Sequence, residues 1–99
     1  MITYEVFVES VQKDNPHEKL PPTLVSLWWD RKGDWARAHA IAQEIPTVQG
    51  SAVHAYLHRE EGDLWNADYW YRRAGRRRPE LSLAREWERL AREMLSEAS

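Results

Sequence analysis

A chain of 99 residues can enclose one hydrophobic core, and its 14 basic and 16 acidic side chains leave a net charge of -2 that exerts no long-range pull on nucleic acid or anionic lipid. The absence of cysteine removes disulfides, thiolate nucleophiles and cysteine-ligated zinc together, so stability has to come from packing. No apolar run approaches the ~18 residues of a membrane span and the N-terminus lacks a basic segment followed by an apolar one, so no membrane association and a cytoplasmic location are expected.

Between Thr3 and Asp14, apolar side chains at Tyr4, Phe7, Val8 and Val11 recur with the spacing of an amphipathic helix. The β-branched Val6, Val8 and Val11 make a strand the rival, but alternation fails at Phe7 and Asn15-Pro16 supplies a stop. His17 to Pro22 reads as a linker in which His17 is exposed and inert. Pro21 and Pro22 suit a first helical turn, and Thr23 to Lys32 continues as a second helix with Leu24, Leu27, Trp28 and Arg31 on one face. Gly33 ends it and Asp34 caps the third helix, Trp35 to Ile45, whose stripe is Trp35, Ala38, Ile41, Ala42 and Ile45 before Pro46 stops it.

The same grammar recurs 29 residues later. A fourth helix, about Val48 to Glu61, runs into Gly62-Asp63, and a fifth, Leu64 to Ala74, runs into Gly75. Placing Gly33 on Gly62 matches Asp34 to Asp63, Ala38 to Ala67 and Trp28 to Leu57, an internal repeat of a helical hairpin whose small residues admit a close partner helix. After the polar connector from Arg76 to Glu80, Leu83, Ala84, Trp87, Leu90, Ala91, Met94 and Leu95 keep helical spacing. Glu86, Glu88, Arg89, Arg92 and Glu93 form the solvated side of that helix, and the final Ser-Glu-Ala-Ser is expected to fray.

Gly62, Ala67, Tyr71, Ala74 and Pro79 resemble the turn and second helix of a tetratricopeptide-type repeat; the first copy keeps only Gly33 and Ala38. The string VHAYLHREEGDLWNADYWYRRAG also resembles the signature of an uncharacterised bacterial family, which implies no particular activity. The resemblance implies an all-α fold of about six helices in one domain, residues 1–99. Two tetratricopeptide-like hairpins would stand between an N-terminal helix and a C-terminal capping helix.

Candidate chemistry gathers in the second hairpin. His54 and His58, four apart, project from one side of the fourth helix with Glu61 one turn on, a spacing that can hold zinc or a similar divalent metal. At the packing positions of the repeat, the same histidines read first as structural. His39, four after Trp35, is placed to approach them and Trp28 and Trp29 if the hairpins stack, with Asp30 and Tyr71 completing a cleft. On the fifth helix Leu64, Ala67, Trp70, Tyr71 and Ala74 form the core stripe, while Trp65 and Tyr69 form a second apolar face that needs a partner, either the last helix or another chain. Arg72, Arg73, Arg76, Arg77 and Arg78 concentrate cations at its C-terminus, where the helix dipole favours them; nucleic acid is disfavoured by the acidic balance.

No nucleophile elbow, phosphate-binding glycine loop or dinucleotide fingerprint occurs, so a catalytic role has only the histidine and carboxylate cluster, with Asp30, Glu60, Glu61 and Asp68 as acid or base candidates. The sequence therefore points first to a non-enzymatic module without cofactor that binds a protein or peptide and self-associates through exposed aromatics. The alternative is a metal- or small-molecule-binding protein built on His39, His54 and His58.

Overall fold

The computed structural model describes residues 2–98 and consists of helices over that range, with no strand among the described residues. None of these helices is long and apolar enough to cross a membrane. The first, α1 (Tyr4–Ser10), starts where the Thr3 hydroxyl accepts from the Val6 N–H at 3.1 Å. It stops four residues short of the expected Asp14. Ser10 Oγ donates to Phe7 O at 2.6 Å, and Lys32 Nζ reaches across to the carbonyls of Val11 and Lys13 at 2.7 and 2.5 Å. A lysine on another helix thus satisfies carbonyls in the turn that follows α1.

Two hairpins follow. α2 (Pro22–Lys32) and α3 (Trp35–Ala42) pack together, as do α4 (Val48–Glu60) and α5 (Leu64–Arg73). Gly33 and Gly62 hold φ at 99° and 89°, a left-handed conformation that a Cβ would strain, and so end α2 and α4 abruptly. The next residues then cap α3 and α5: Asp34 Oδ1 accepts from Arg37 N at 3.0 Å, and Asp63 Oδ1 from Asn66 N at 3.3 Å. Ala38 and Ala67 are fully buried between the paired helices. This architecture is compatible with a helical repeat.

α3 ends at Ala42, not Ile45, because Glu44 and Ile45 turn their N–H groups to carbonyls three residues back. Its outer positions Trp35, Ile41 and Ile45 are only half-buried. The chain then folds tightly onto the first turn of α4, where Thr47 caps the Gly50 N–H at 3.1 Å. A Cβ on Gly50 would lie 2.5 Å from Ile45 O, so this close approach requires glycine within the helix and not at its end.

The core joins Leu24, Leu27 and Trp28 of α2 to Val53 and Leu57 of α4, and α6 (Leu83–Ala98) closes it. Trp87 of α6 is buried, donates its indole N–H to Leu27 O at 3.0 Å, and stacks on Phe7 with centroids 5.8 Å apart. The capping expectation is met by Trp87, Leu90, Ala91 and Met94, while Leu83 and Ala84 are exposed. Ser96, Glu97 and Ala98 are helical and not frayed; Ser99 lies outside the described residues. Glu86 overturns the reading of a solvated face. It is buried, accepting from Arg59 Nη1 at 2.8 Å and from the Tyr71 hydroxyl at 2.6 Å.

α5 buries Ala67, Tyr71 and Ala74 of its expected stripe but leaves Leu64 43% exposed. Trp65, at 81% exposure, is not covered by α6.

Candidate metal centre

The turn at Gly62-Asp63 sets the register of α4 against α5, and the contact of α3 with α4 brings the two hairpins together along one seam. Three imidazoles meet there. His54 and His58 come from successive turns of α4 and His39 from α3, with ring centroids 4.7 Å (39 to 54), 5.0 Å (39 to 58) and 4.8 Å (54 to 58) apart. One ring nitrogen of each lies within 4.8 Å of the other two.

The rings are fixed by their neighbours. His54 stacks on Trp70 at 4.1 Å, and His39 stacks on Trp35 at 4.9 Å with planes 12° apart. Trp35 is in turn anchored through its indole N–H, which donates to Leu57 O at 2.8 Å. Behind the third ring, His58 Nδ1 lies 2.7 Å from Glu61 Oε2. A carboxylate only accepts, so Nδ1 carries the proton of this contact and Nε2 is the nitrogen left for other partners.

His54 Nε2 and His39 Nε2 are 3.0 Å apart, a distance at which one nitrogen donates and the other accepts, so the two rings cannot both be fully protonated. Burial, reinforced by His39 and His58, pushes the pKa of His54 down to about 4. Burial also lowers that of His39, with His58 adding to the effect. Both rings are therefore neutral at pH 7 and hold lone pairs that a cation can take.

Glu61 stands behind His58 and not beside His54, which corrects the expected set of His54, His58 and Glu61 and puts His39 in its place. Glu61 also lies near Asp63, but Asp63 is engaged as the α5 cap. Trp28 and Trp29, expected to line the cleft, are occupied elsewhere. Trp28 donates its indole N–H to Ser10 Oγ at 3.0 Å, and Trp29 packs edge-on against it with the Arg37 guanidinium 4.1 Å above. Tyr71 belongs to the Glu86 network. Trp65 and Tyr69 face outward on α5, Arg72 is exposed, and Arg73 lies over Trp70 and Tyr69 at 5.3 and 6.0 Å.

Trp70 is the contributor that spacing alone misses, since it reads as a core residue of α5. The hairpin register reveals it: His54 is eight residues before Gly62 and Trp70 eight after, so an antiparallel pair turning there sets them opposite one another.

Elsewhere between the hairpins, Asp30 of α2 and Glu60 of α4 form a hydrogen-bonded acid pair. Burial, with the hydrogen bond to Asp30 and the charge of Asp30 adding, pushes Glu60 up to about 8, and burial raises Asp30 as well. The pair carries a proton at neutral pH. Glu60 Oε1 is buried without a hydrogen-bond partner, an arrangement an uncharged carboxyl tolerates far better than a carboxylate.

Comparison with protein-family models, with curated proteins and with solved structures gives no match, so the site is read from its own geometry.

Proposed function

We propose that the chain binds a divalent transition metal of the zinc class through His39, His54 and His58. The observation that carries this reading is the convergence of three imidazoles, one of them backed by a carboxylate on its far nitrogen. A carboxylate such as Glu61, held on the far nitrogen of His58, orients a metal-binding histidine and raises its basicity. Two nitrogens at ~2.0–2.1 Å from a tetrahedral ion are about 3.4 Å apart, so the 3.0 Å between His39 and His54 needs little change in position, while the ring whose Nε2 donates would pass that proton to its own Nδ1 or to solvent. His58 would move inward to complete the set. Imidazole donors suit zinc, copper, nickel and cobalt over calcium or magnesium, and three protein ligands leave a fourth position for water or an incoming group.

Loading the purified, chelator-stripped protein with zinc, cobalt, nickel and copper in turn and measuring bound metal by mass spectrometry tests this. One ion per chain is expected, with cobalt giving the intense visible bands of a four-coordinate site. His39→Ala, His54→Ala and His58→Ala should each abolish stoichiometric binding, and Glu61→Gln should weaken it about 10- to 100-fold. A stoichiometry near zero for all four metals, with unchanged melting, refutes the proposal and leaves the histidines as packing.

A second reading, docking of a protein or peptide on the outer face of α5, is favoured by the 81% exposure of Trp65 beside exposed Tyr69 and Leu64. Its readout is solution mass and crosslinking with and without Trp65→Ala. A partner, or a second copy, retained equally by wild type and variant counts against it.

A further inference from the structure

We propose that the hollow between the end of α5, the connector from Gly75 to Ser82 and α6 is a binding site for a small organic phosphate ester, separate from the histidine cluster. The hollow has a volume of about 500 Å³, within the ~300–1,000 Å³ range of small-molecule sites. Arg76, Arg77 and Arg78 line it from the connector and Arg89 from α6, while Leu81 and Leu90 supply apolar wall.

Its charge is what points to an anion. Four arginines face two glutamates, Glu80 and Glu86, in a chain whose net charge is -2, so the positive excess is local. Glu86 is already committed to Arg59 and the Tyr71 hydroxyl. Arg76 pairs with Glu93, and Arg78 with Asp68 at 3.2 Å. Among the described residues, no carboxylate pairs with Arg77 or Arg89. Two guanidinium forks lining one cavity are thus without the carboxylate partners that Arg76 and Arg78 have. A second hollow of about 310 Å³ shares Tyr71, Arg76, Arg77 and Arg78 and adds Asp68, which pairs with Arg78, and Arg72, which has no carboxylate partner among the described residues. The cationic wall therefore continues past the first cavity.

Guanidinium groups bind phosphate oxygens in pairs of parallel hydrogen bonds, and the planar fork suits a terminal phosphate with several free oxygens. The apolar wall suits an organic body attached to it. A nucleic-acid strand fits less well: the site is a hollow and not a track, and a long polyanion would have to pass Asp68, Glu80 and Glu93.

Isothermal titration of the full chain in chelator, with ADP, inorganic pyrophosphate, adenosine and a 20-nucleotide single strand as separate probes, tests the proposal. ADP and pyrophosphate are expected to bind saturably at one site per chain, with adenosine at least about tenfold weaker than ADP. Arg77→Ala/Arg89→Ala should weaken ADP binding at least about tenfold. Both side chains are exposed, so an unchanged melting temperature in the double variant separates loss of binding from loss of fold. His39→Ala should leave ADP binding intact, which distinguishes this site from the metal centre. No saturable binding of ADP or pyrophosphate up to about 10 mM overturns the inference. So does an affinity unchanged by the double substitution, adenosine binding as tightly as ADP, or tighter binding of the oligonucleotide.

Discussion

Glu86→Ala offers the sharpest test of how the two hairpins are locked to the last helix. In the native structure the Glu86 carboxylate accepts two charge-assisted hydrogen bonds, 2.8 Å from Arg59 Nη1 and 2.6 Å from the Tyr71 hydroxyl. Arg59 also donates to Leu81 O, so one arginine ties α4 to both α6 and the connector. The Glu86 side chain is 5% exposed and that of Arg59 17%, and Tyr71 is buried. Truncation would leave a guanidinium and a phenol without their acceptor in a poorly solvated place, which costs about 3–5 kcal/mol for a broken buried pair. Against a total stability of roughly 5–15 kcal/mol, that is a large share. At about 4–8 °C per kcal/mol for a chain of this size, the melting temperature should fall by roughly 12–40 °C. Tyr71→Phe removes one bond to a charged acceptor and should cost about 1.5–3 kcal/mol. In urea unfolding, the double variant should therefore be less destabilised than the two single losses combined, because the Tyr71–Glu86 bond can be lost only once. A Glu86→Ala cost below about 1 kcal/mol, the value of an exposed ion pair, would refute the buried network and restore Glu86 to the solvated face.

Further outcomes follow from the seam between the hairpins. His54 has a folded pKa of about 4 against 6.5 unfolded, so its contribution is full above pH 6.5 and is lost as pH falls toward 4, when the unfolded chain binds the extra proton. In chelator, that linkage amounts to about 3 kcal/mol, and His54→Gln should flatten the acid limb of a urea-stability profile; an unchanged limb would contradict a neutral buried ring. Glu60 acts in the opposite direction. Its folded pKa of about 8 exceeds the unfolded value of 4.5, so stability declines as pH rises from 4.5 through 8, and Glu60→Gln should be more stable than wild type at pH 8.5. A variant less stable than wild type there would mean that the carboxylate form is stabilised by the fold. Gly50→Ala should destabilise by about 1–3 kcal/mol, since the new Cβ meets Ile45 O at 2.5 Å; the gain of up to ~1 kcal/mol expected from helix propensity would appear instead if the α3–α4 connection can give way.

How far the sequence could be read depended on whether a feature is specified locally. The Gly33-Asp34 and Gly62-Asp63 pairs combine a left-handed stop with a cap in two adjacent positions, so both hairpins are legible from a few residues each. The ends of α1 and α3 are not, because Lys32, 19 and 21 residues away from the carbonyls it binds, helps hold the turn after α1. Glu86 shows the same limit. It lies three residues after Leu83 and four before Leu90, at the edge of the apolar stripe, yet its acceptors' partners come from α4 and α5, 27 and 15 residues back. Spacing states which side of a helix a residue occupies, and only the packing decides what stands on that side.

The histidines illustrate how that distinction bears on function. An i, i+4 pair such as His54 and His58 is legible as sharing a side, and the repeat register makes that side a packing surface, which argues for apolar residues there. Three imidazoles occupy the seam instead, with two indoles stacked on the rings, and an acid pair joins α2 to α4. Burying them depresses the pKa of His54 and raises that of Glu60, and both shifts oppose folding at some pH while hydrophobic side chains of similar size would not. Local rules are met at the caps and at Ala38 and Ala67, whereas the seam, like the buried Glu86 of α6, departs from what spacing alone favours. Departures of that kind concentrate at functional sites. The same reasoning ranks the surfaces: Arg77 and Arg89 are exposed and cost the fold little, so their claim to function rests on sharing a cavity with no carboxylate paired to them among the described residues, whereas the claim of His39, His54 and His58 rests on polar groups kept where packing would exclude them.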